Sequence, residues 1–314
     1  MDSAVDWSVA DLGDQTGRTF VVTGSSSGLG AEITRHLAAR GGRVIMAVRD
    51  TAKGERVRDR LRAADPGADL DVRHLDLLDL RTVRRFADDL RADGVVVDSL
   101  VNNGGIGTVP HRLSPEGVES QLATNHLGHY ALTGLLLDRM AEGGAVVTVA
   151  SGLYRMGRLD LDDLAAERRY SPGGAYAASK LANVLFGLEL DRRLRAAGSP
   201  VRSLVAHPGM ARTGLSREAA LLPRAVQSAL GFFFRLPIGA AVAPILYAAT
   251  EPAALTGRHI GPGRPRRPRP TFETFTGAAA DTALAARLWD RSRLLTGVDP
   301  AQPLETGEPL PDDA

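Results

Sequence analysis

Short runs of β-branched and other apolar residues alternate with longer helix-patterned stretches along most of this 314-residue chain. That alternation restricts the fold more than any other feature. The candidate strands are TFVVTG (19 to 24), RVIMAV (43 to 48), LDVRHL (70 to 75), DSLVNN (98 to 103), GAVVTVA (144 to 150), VRSLVAH (201 to 207) and GRHI (257 to 260). Between them lie helical patterns at Gly28 to Ala39, Asp79 to Ala92, Pro115 to Met140 and Tyr176 to Ala197. A strand that returns parallel to its predecessor needs a crossover, normally a helix lying on the sheet and winding right-handed. The pattern therefore predicts an α/β fold: a doubly wound parallel sheet of about seven strands, helices on both faces, in a single domain. No repeat or linker divides the chain before residue 262, so the core is expected over roughly 15–262, with 263–314 as a C-terminal extension. The stretch GPGRPRRPRP that opens the extension is expected to stay out of the sheet and run over the surface, ahead of a last helix, Ala278 to Leu295.

Charge excludes some function classes. With 38 basic against 37 acidic residues there is no general attraction to nucleic acid or to a membrane surface, so a partner must be recognised locally. There is no cysteine, hence no disulfide, no thiolate metal site and no cysteine nucleophile, which fits a reducing cytoplasm. The N-terminus MDSAVDWSVADLGDQTGR carries acidic residues and no apolar h-region, so it is not read as a secretory signal. The longest run free of Asp, Glu, Lys, Arg and His, Leu236 to Thr250, is 15 residues with two prolines, too short and broken to span a bilayer. The arginines at 264, 266, 267 and 269 are read as a solvated surface, and no metal is expected.

At the end of the first strand, VVTGSSSGLGAEITRHL places Gly24, Gly28 and Gly30 where the backbone must turn sharply into a helix. Glycines let such a turn approach a pyrophosphate, and the helix N-terminus offers it free N–H groups. The spacing G-x-x-x-G-x-G, read as Thr23-Gly24-Ser25-Ser26-Ser27-Gly28-Leu29-Gly30, resembles the short-chain dehydrogenase/reductase family, a single-domain Rossmann-type fold. On that resemblance Thr23, Gly24, Ser25, Ser27, Gly28, Leu29 and Gly30 would bind a dinucleotide. The end of the second strand reads MAVRDTAKGE: Val48 stands in the usual acidic place and Arg49 follows, the pattern of an enzyme preferring NADP, whose 2′-phosphate an arginine pairs with bidentately. Asp50 beside it leaves room for NAD as a weaker cofactor. Asp76 and Leu77 match the pair at the adenine. Asn102 to Gly105, NNGG, stands for the family's N-N-A-G, with Gly104 replacing alanine and expected to loosen the turn.

Tyr176 and Lys180, in GGAYAASKLANVLFG, are at i and i+4 and share one helix face. A phenol with an ordinary pKa near 10 is a poor acid/base at neutrality, and a nearby ammonium is expected to lower it. The only lysines are Lys53 and Lys180, so a lysine here, in a chain that otherwise uses arginine, points to chemistry. The resemblance supplies the remaining members: Ser151 at the substrate oxygen, Asn125 holding a relay water with the lysine, and HPGMART, in which Pro208 and Gly209 shape a loop over the nicotinamide and Thr213 approaches the phosphates. The runs AYAASKLANVLF and NHLGHYALT look most like the branch that includes retinol dehydrogenases. The reading is an NADP(H)-dependent oxidoreductase interconverting a ketone or aldehyde with an alcohol on a medium-to-large apolar substrate, working as a homo-oligomer (dimer or tetramer). Reduction of an activated C=C bond and a non-catalytic NADP sensor stay open as alternatives. Substrate selection is assigned to residues 152–175 and 210–238; His126, His129 and His207 are read as neutral packing or loop residues without acidic partners, and GFFFRL (231–236) as a buried lid.

Overall fold

A computed structural model describes residues 3–209, 238–264 and 267–301. Its sheet has strands β1 (Ser3–Ala4), β2 (Thr19–Thr23), β3 (Arg43–Val48), β4 (Leu70–His74), β5 (Val97–Asn102), β6 (Met140–Val149), β7 (Arg202–Ala206), β8 (His259–Arg264) and β9 (Arg267–Glu273). They lie in the order β1-β9-β8-β7-β6-β5-β2-β3-β4. From β4 to β8 every neighbouring pair is parallel. The chain winds outward one way through β3 and β4 and the other way from β5 onward, so the reversal point falls between β2 and β5, where such sheets bind ligands.

Alternation along the strands divides the core. In β2, Phe20 and Val22 face the helices α1 (Gly28–Ala38), α2 (Thr51–Ala64) and α6 (Ile238–Thr250) through Ile33, Leu37, Val57, Ile245 and Leu246. Val21 faces the other side, toward α3 (Leu80–Ala92), α4 (residues 120–136) and α5 (Pro172–Ala196) through Phe86, Tyr130 and Phe186. Helix α4 opens at Ser120–Leu122, passes through a π-helical turn at Ala123–Leu127 and continues over Gly128–Leu136. The uncharged run near residue 240 is α6, buried from Ala241 to Thr250. No helix among the described residues is long and apolar enough to cross a membrane.

Two strands exceed the expected seven, and both come from segments placed outside the sheet. The GPGRPRRPRP stretch does join it: β8 and β9 form a hairpin pairing His259 with Glu273, Ile260 with Phe272 and Gly261 with Thr271, with an irregularity before Gly263. Proline is tolerated where no ladder N–H is required, near a sheet margin or a bulge. β9 is such a strand, because its outer neighbour β1 meets it only at Thr271 and Phe272, beyond Pro268 and Pro270. The extension then crosses a 3-10 turn (Gly277–Ala280) into α7 (Thr282–Thr296), capped by Asp281. Trp289 of α7 lies between Tyr130 and Phe186, with ring centroids 5.1 and 6.0 Å away. Residues 267–301 therefore complete the core.

Candidate active site

The glycine turn is built by close approach. Gly24 has a φ of +70°, and a Cβ on it would lie 2.7 Å from the Gly104 Cα. A Cβ on Gly30 would lie 2.5 Å from the Gly24 carbonyl oxygen. Gly28 has a φ of +55° and open space before it. Ser27 precedes α1 without a side-chain cap, so the first N–H groups of the helix are left for another acceptor, and the buried Ser25 Oγ has no partner among the described residues. This arrangement fits a phosphate. Leu29 turns toward the core.

Thr23 does not face the opening: it is fully buried, and its hydroxyl accepts from the N–H groups of Asn103 (2.9 Å) and Gly104 (2.8 Å). Asn102 is likewise turned inward, donating to Thr133 Oγ1 at 2.9 Å, while Asn103 donates to the Thr23 carbonyl at 2.8 Å and clamps β2 to β5. Gly104 keeps its backbone N–H engaged, donating to Thr23 Oγ1 at 2.8 Å, and a Cβ there would meet Leu77 Cδ1 at 2.9 Å. Arg49 is exposed and has no protein partner among the described residues, whereas Asp50 is engaged as the α2 cap, accepting from the Lys53 N–H at 2.9 Å. One oxygen of Asp76 accepts from the Leu78 N–H.

The reacting side chains converge past the end of β6. Ser151 caps the 3-10 turn Gly152–Met156, its Oγ accepting from the Leu153 N–H at 3.3 Å, and it faces the Tyr176 phenol closely enough to oppose the effect of burial on it. Pro172 opens α5 behind the Ser171 cap, which sets Tyr176 and Lys180 on one face. Lys180 is buried, donates to the Val149 carbonyl at 3.1 Å and lies 5.8 Å from the Tyr176 ring centroid; burial lowers its pKa to about 8. The phenol departs from expectation: burial raises its pKa, and the opposing influence is Ser151 rather than the lysine.

Asn125 sits in the π-helical turn. Its Oδ1 accepts from the Ile106 N–H (2.8 Å), and its Nδ2 donates to the Ile106 carbonyl (2.9 Å) and to Ser179 Oγ (2.9 Å). The amide N–H groups are both engaged within the protein, so a relay water would have to hydrogen-bond to an oxygen of this residue. Ser179, which also donates to the Tyr176 carbonyl, ties asparagine to tyrosine and was missed because nothing local marks it.

Pro208 is buried and Gly209 has a φ of +69°. Thr213, the segment 210–237 and GFFFRL lie outside the described residues. His207, just before Pro208, does have an acidic neighbour: its Nε2 is 3.6 Å from Glu273 Oε1, and His259 Nδ1 is 3.7 Å from Glu273 Oε2. The imidazoles stack at 4.3 Å, and Arg155 of the 3-10 turn donates to Glu273 at 2.9 Å. Ligand-type atoms of these three residues lie within 4.8 Å of one another. His207 Nδ1 accepts the Gly209 N–H at 3.2 Å, which places the ring proton on Nε2, facing the carboxylate. The cluster therefore fastens the 207–209 loop to β8, β9 and the 3-10 turn. The distance in sequence between its members hid it.

The family model described as short chain dehydrogenase matches residues 18–221. The chain is 36% identical over 307 residues to human retinol dehydrogenase 14, covering 92% of this chain and 89% of that protein. It is 39% identical over 293 residues to mouse polyprenol dehydrogenase, with coverages of 91% and 86%. A crystal structure of an uncharacterized protein from Mycobacterium paratuberculosis is 43% identical, with a TM-score of 0.77 over 94% of this chain and 99% of that one.

Proposed function

The chain belongs to the short-chain dehydrogenase family, an oxidoreductase acting on CH–OH groups, and from that premise we propose that it interconverts a ketone or aldehyde and an alcohol on a medium-to-large apolar substrate, with NADP(H). The observation that carries the reading is the meeting of Ser151, Tyr176, Lys180 and Asn125 beyond β6 and β5, on the side where the glycine turn leaves β2. Retinol and polyprenol, named for two relatives, are apolar alcohols.

The turn at 24–30 would hold the cofactor phosphates, and Arg49 the 2′-phosphate. When bound, the reduced nicotinamide would supply the hydride. Ser151 hydrogen-bonds the substrate oxygen and polarises the carbonyl. Tyr176 then gives its proton to the developing alkoxide. A phenol whose pKa burial has raised holds that proton until the alkoxide, a stronger base, forms. Lys180 keeps two of its three N–H bonds clear of protein acceptors among the described residues, and these are available to ribose hydroxyls and to a water in line with Asn125. Proton return runs toward Tyr176 along that line. We read the protein as cytoplasmic, which cell fractionation tests.

Tyr176→Phe is the deciding variant. It should bind NADPH with unchanged affinity by fluorescence titration, yet turn over a panel of apolar aldehydes and ketones at least about 100-fold more slowly. Equal turnover by variant and wild type would refute the assignment.

A further inference from the structure

His129 joins the two ends of the site. It lies on α4 one turn past Asn125, is 1% exposed, and makes a hydrogen bond with each ring nitrogen. Nε2 is 2.8 Å from Thr23 Oγ1, and Nδ1 is 2.9 Å from the Asn125 carbonyl oxygen. Counting donors and acceptors fixes the direction of both. Thr23 Oγ1 already accepts two backbone N–H groups, from Asn103 and Gly104, so its lone pairs are used and its one proton must be donated. The alternative acceptor, the Val101 carbonyl, is at 3.4 Å, so the proton goes to His129 Nε2. The ring proton then sits on Nδ1 and is donated to the Asn125 carbonyl. The opposite tautomer would set Nε2–H against an oxygen with no lone pair left and a bare Nδ1 against a carbonyl oxygen. Burial and the Lys180 charge hold the ring neutral, with a pKa lowered to about 4.

We propose that His129 is a positioning residue for the reaction, locked as the Nδ1–H tautomer by Thr23 so that it holds the Asn125 carbonyl and couples the cofactor turn to the proton relay. The inference rests on the catalytic reading above. Its physical basis is the π-helical turn, in which one extra residue takes carbonyls out of the regular helical pairing and leaves their direction to be set by other donors. Thr23 is the last residue of β2, next to the turn assigned to the cofactor phosphates, and Asn125 clamps the Ile106 backbone beside Lys180. A displacement of the turn is thus transmitted through two hydrogen bonds to the residue that aligns the relay.

The test combines turnover with spectroscopy on the full-length chain. Wild-type turnover is measured first: none with any carbonyl substrate would sink the catalytic reading and this inference with it. Given turnover, His129→Leu should keep NADPH affinity within about threefold, lower kcat about tenfold or more with little change in KM, and move the pH limb of kcat. His129→Gln, which retains a donor and an acceptor, should recover part of kcat. Nitrogen-15 spectra of the wild type should show a protonated Nδ1 and a bare Nε2 from pH 5.5 to 9, with the Nε2 signal shifting when NADPH is added. An unchanged kcat and pH limb in His129→Leu, or an Nε2–H tautomer in the wild type, overturns the positioning role while leaving the family reading intact. If His129→Leu fails to fold, the glutamine variant and the wild-type spectra decide.

Discussion

A methyl group at Gly105 would sit 2.9 Å from Asn125 Oδ1 and 3.8 Å from Lys180 Nζ. Backbone bareness at this one position is what lets the two side chains approach the same spot. Gly105→Ala is therefore expected to lower kcat at least tenfold, through displacement of Asn125, while the melting temperature moves little; full activity in that variant would show that the contact is unimportant. Arg49 stands at the other end, solvated and uncommitted to any described residue. Loss of a bidentate charged contact removes about 1.5–3 kcal/mol, so Arg49→Ala should weaken NADPH by roughly 10- to 100-fold and NADH hardly at all in parallel titrations. Equal losses would remove the 2′-phosphate role. The positions of Gly24, Ser151, Tyr176 and Lys180 on their elements were legible in the sequence because each stands at a fixed distance from the end of its own element. Their supports were not. Ser179, His129 and Glu273 act on residues 54, 106 and 66 positions away, through hydrogen bonds and a histidine–carboxylate contact that no local spacing announces.

At the level of elements, the strands were legible because their runs are short, apolar and bounded by turns, and five of the seven expected ones start within one residue of their observed starts, β6 beginning at Met140 rather than 144 and β8 at His259 rather than 257. The hairpin of β8 and β9 was illegible because a proline-rich composition argues against a central strand and says nothing about a marginal one. Helix α7 covers α4 and α5: Trp289 packs on Tyr130 and Phe186 with Arg193 above its ring at 4.5 Å, and Ser292 meets His126. Trp289→Ala should cost about 3–5 kcal/mol in urea unfolding, and a change below about 1 would mean that α7 is only loosely attached. The histidines buried under these elements set an acid limit. Burial lowers the pKa of His126 to about 3, of His129 to about 4 and of His259 to about 4. The unfolded chain then binds more protons than the folded one between about pH 6.5 and about 4, so stability is full above 6.5 and declines as pH falls through that window. Glu273, held well below the usual carboxylate range by the two imidazoles facing it, adds loss in the same direction at lower pH. Melting temperature should fall steadily from pH 7 to pH 4, and a flat profile would contradict the buried neutral state of these rings.

For the molecule as a whole, the cover that α7 lays over α4 and α5 bears on assembly. Any dimer or tetramer must use faces other than this one, and light scattering on the intact chain against a chain ending at residue 281 should show the shorter form aggregating rather than forming a discrete larger oligomer. A discrete, soluble larger assembly would show that α7 guards an interface. The pairing of β1 with β9 has a further consequence in time. Ser3 and Ala4 pair with Phe272 and Thr271, so β1, made before the other eight described strands, must wait for β9, made after them, before it can be placed. The parallel strands from β2 to β7 can assemble during synthesis, but β1 adds only after β9 has folded back along β8. Residues 3 and 4 should accordingly gain protection from hydrogen exchange later than the strands around the glycine turn, and β1 will report the completion of the fold rather than its beginning.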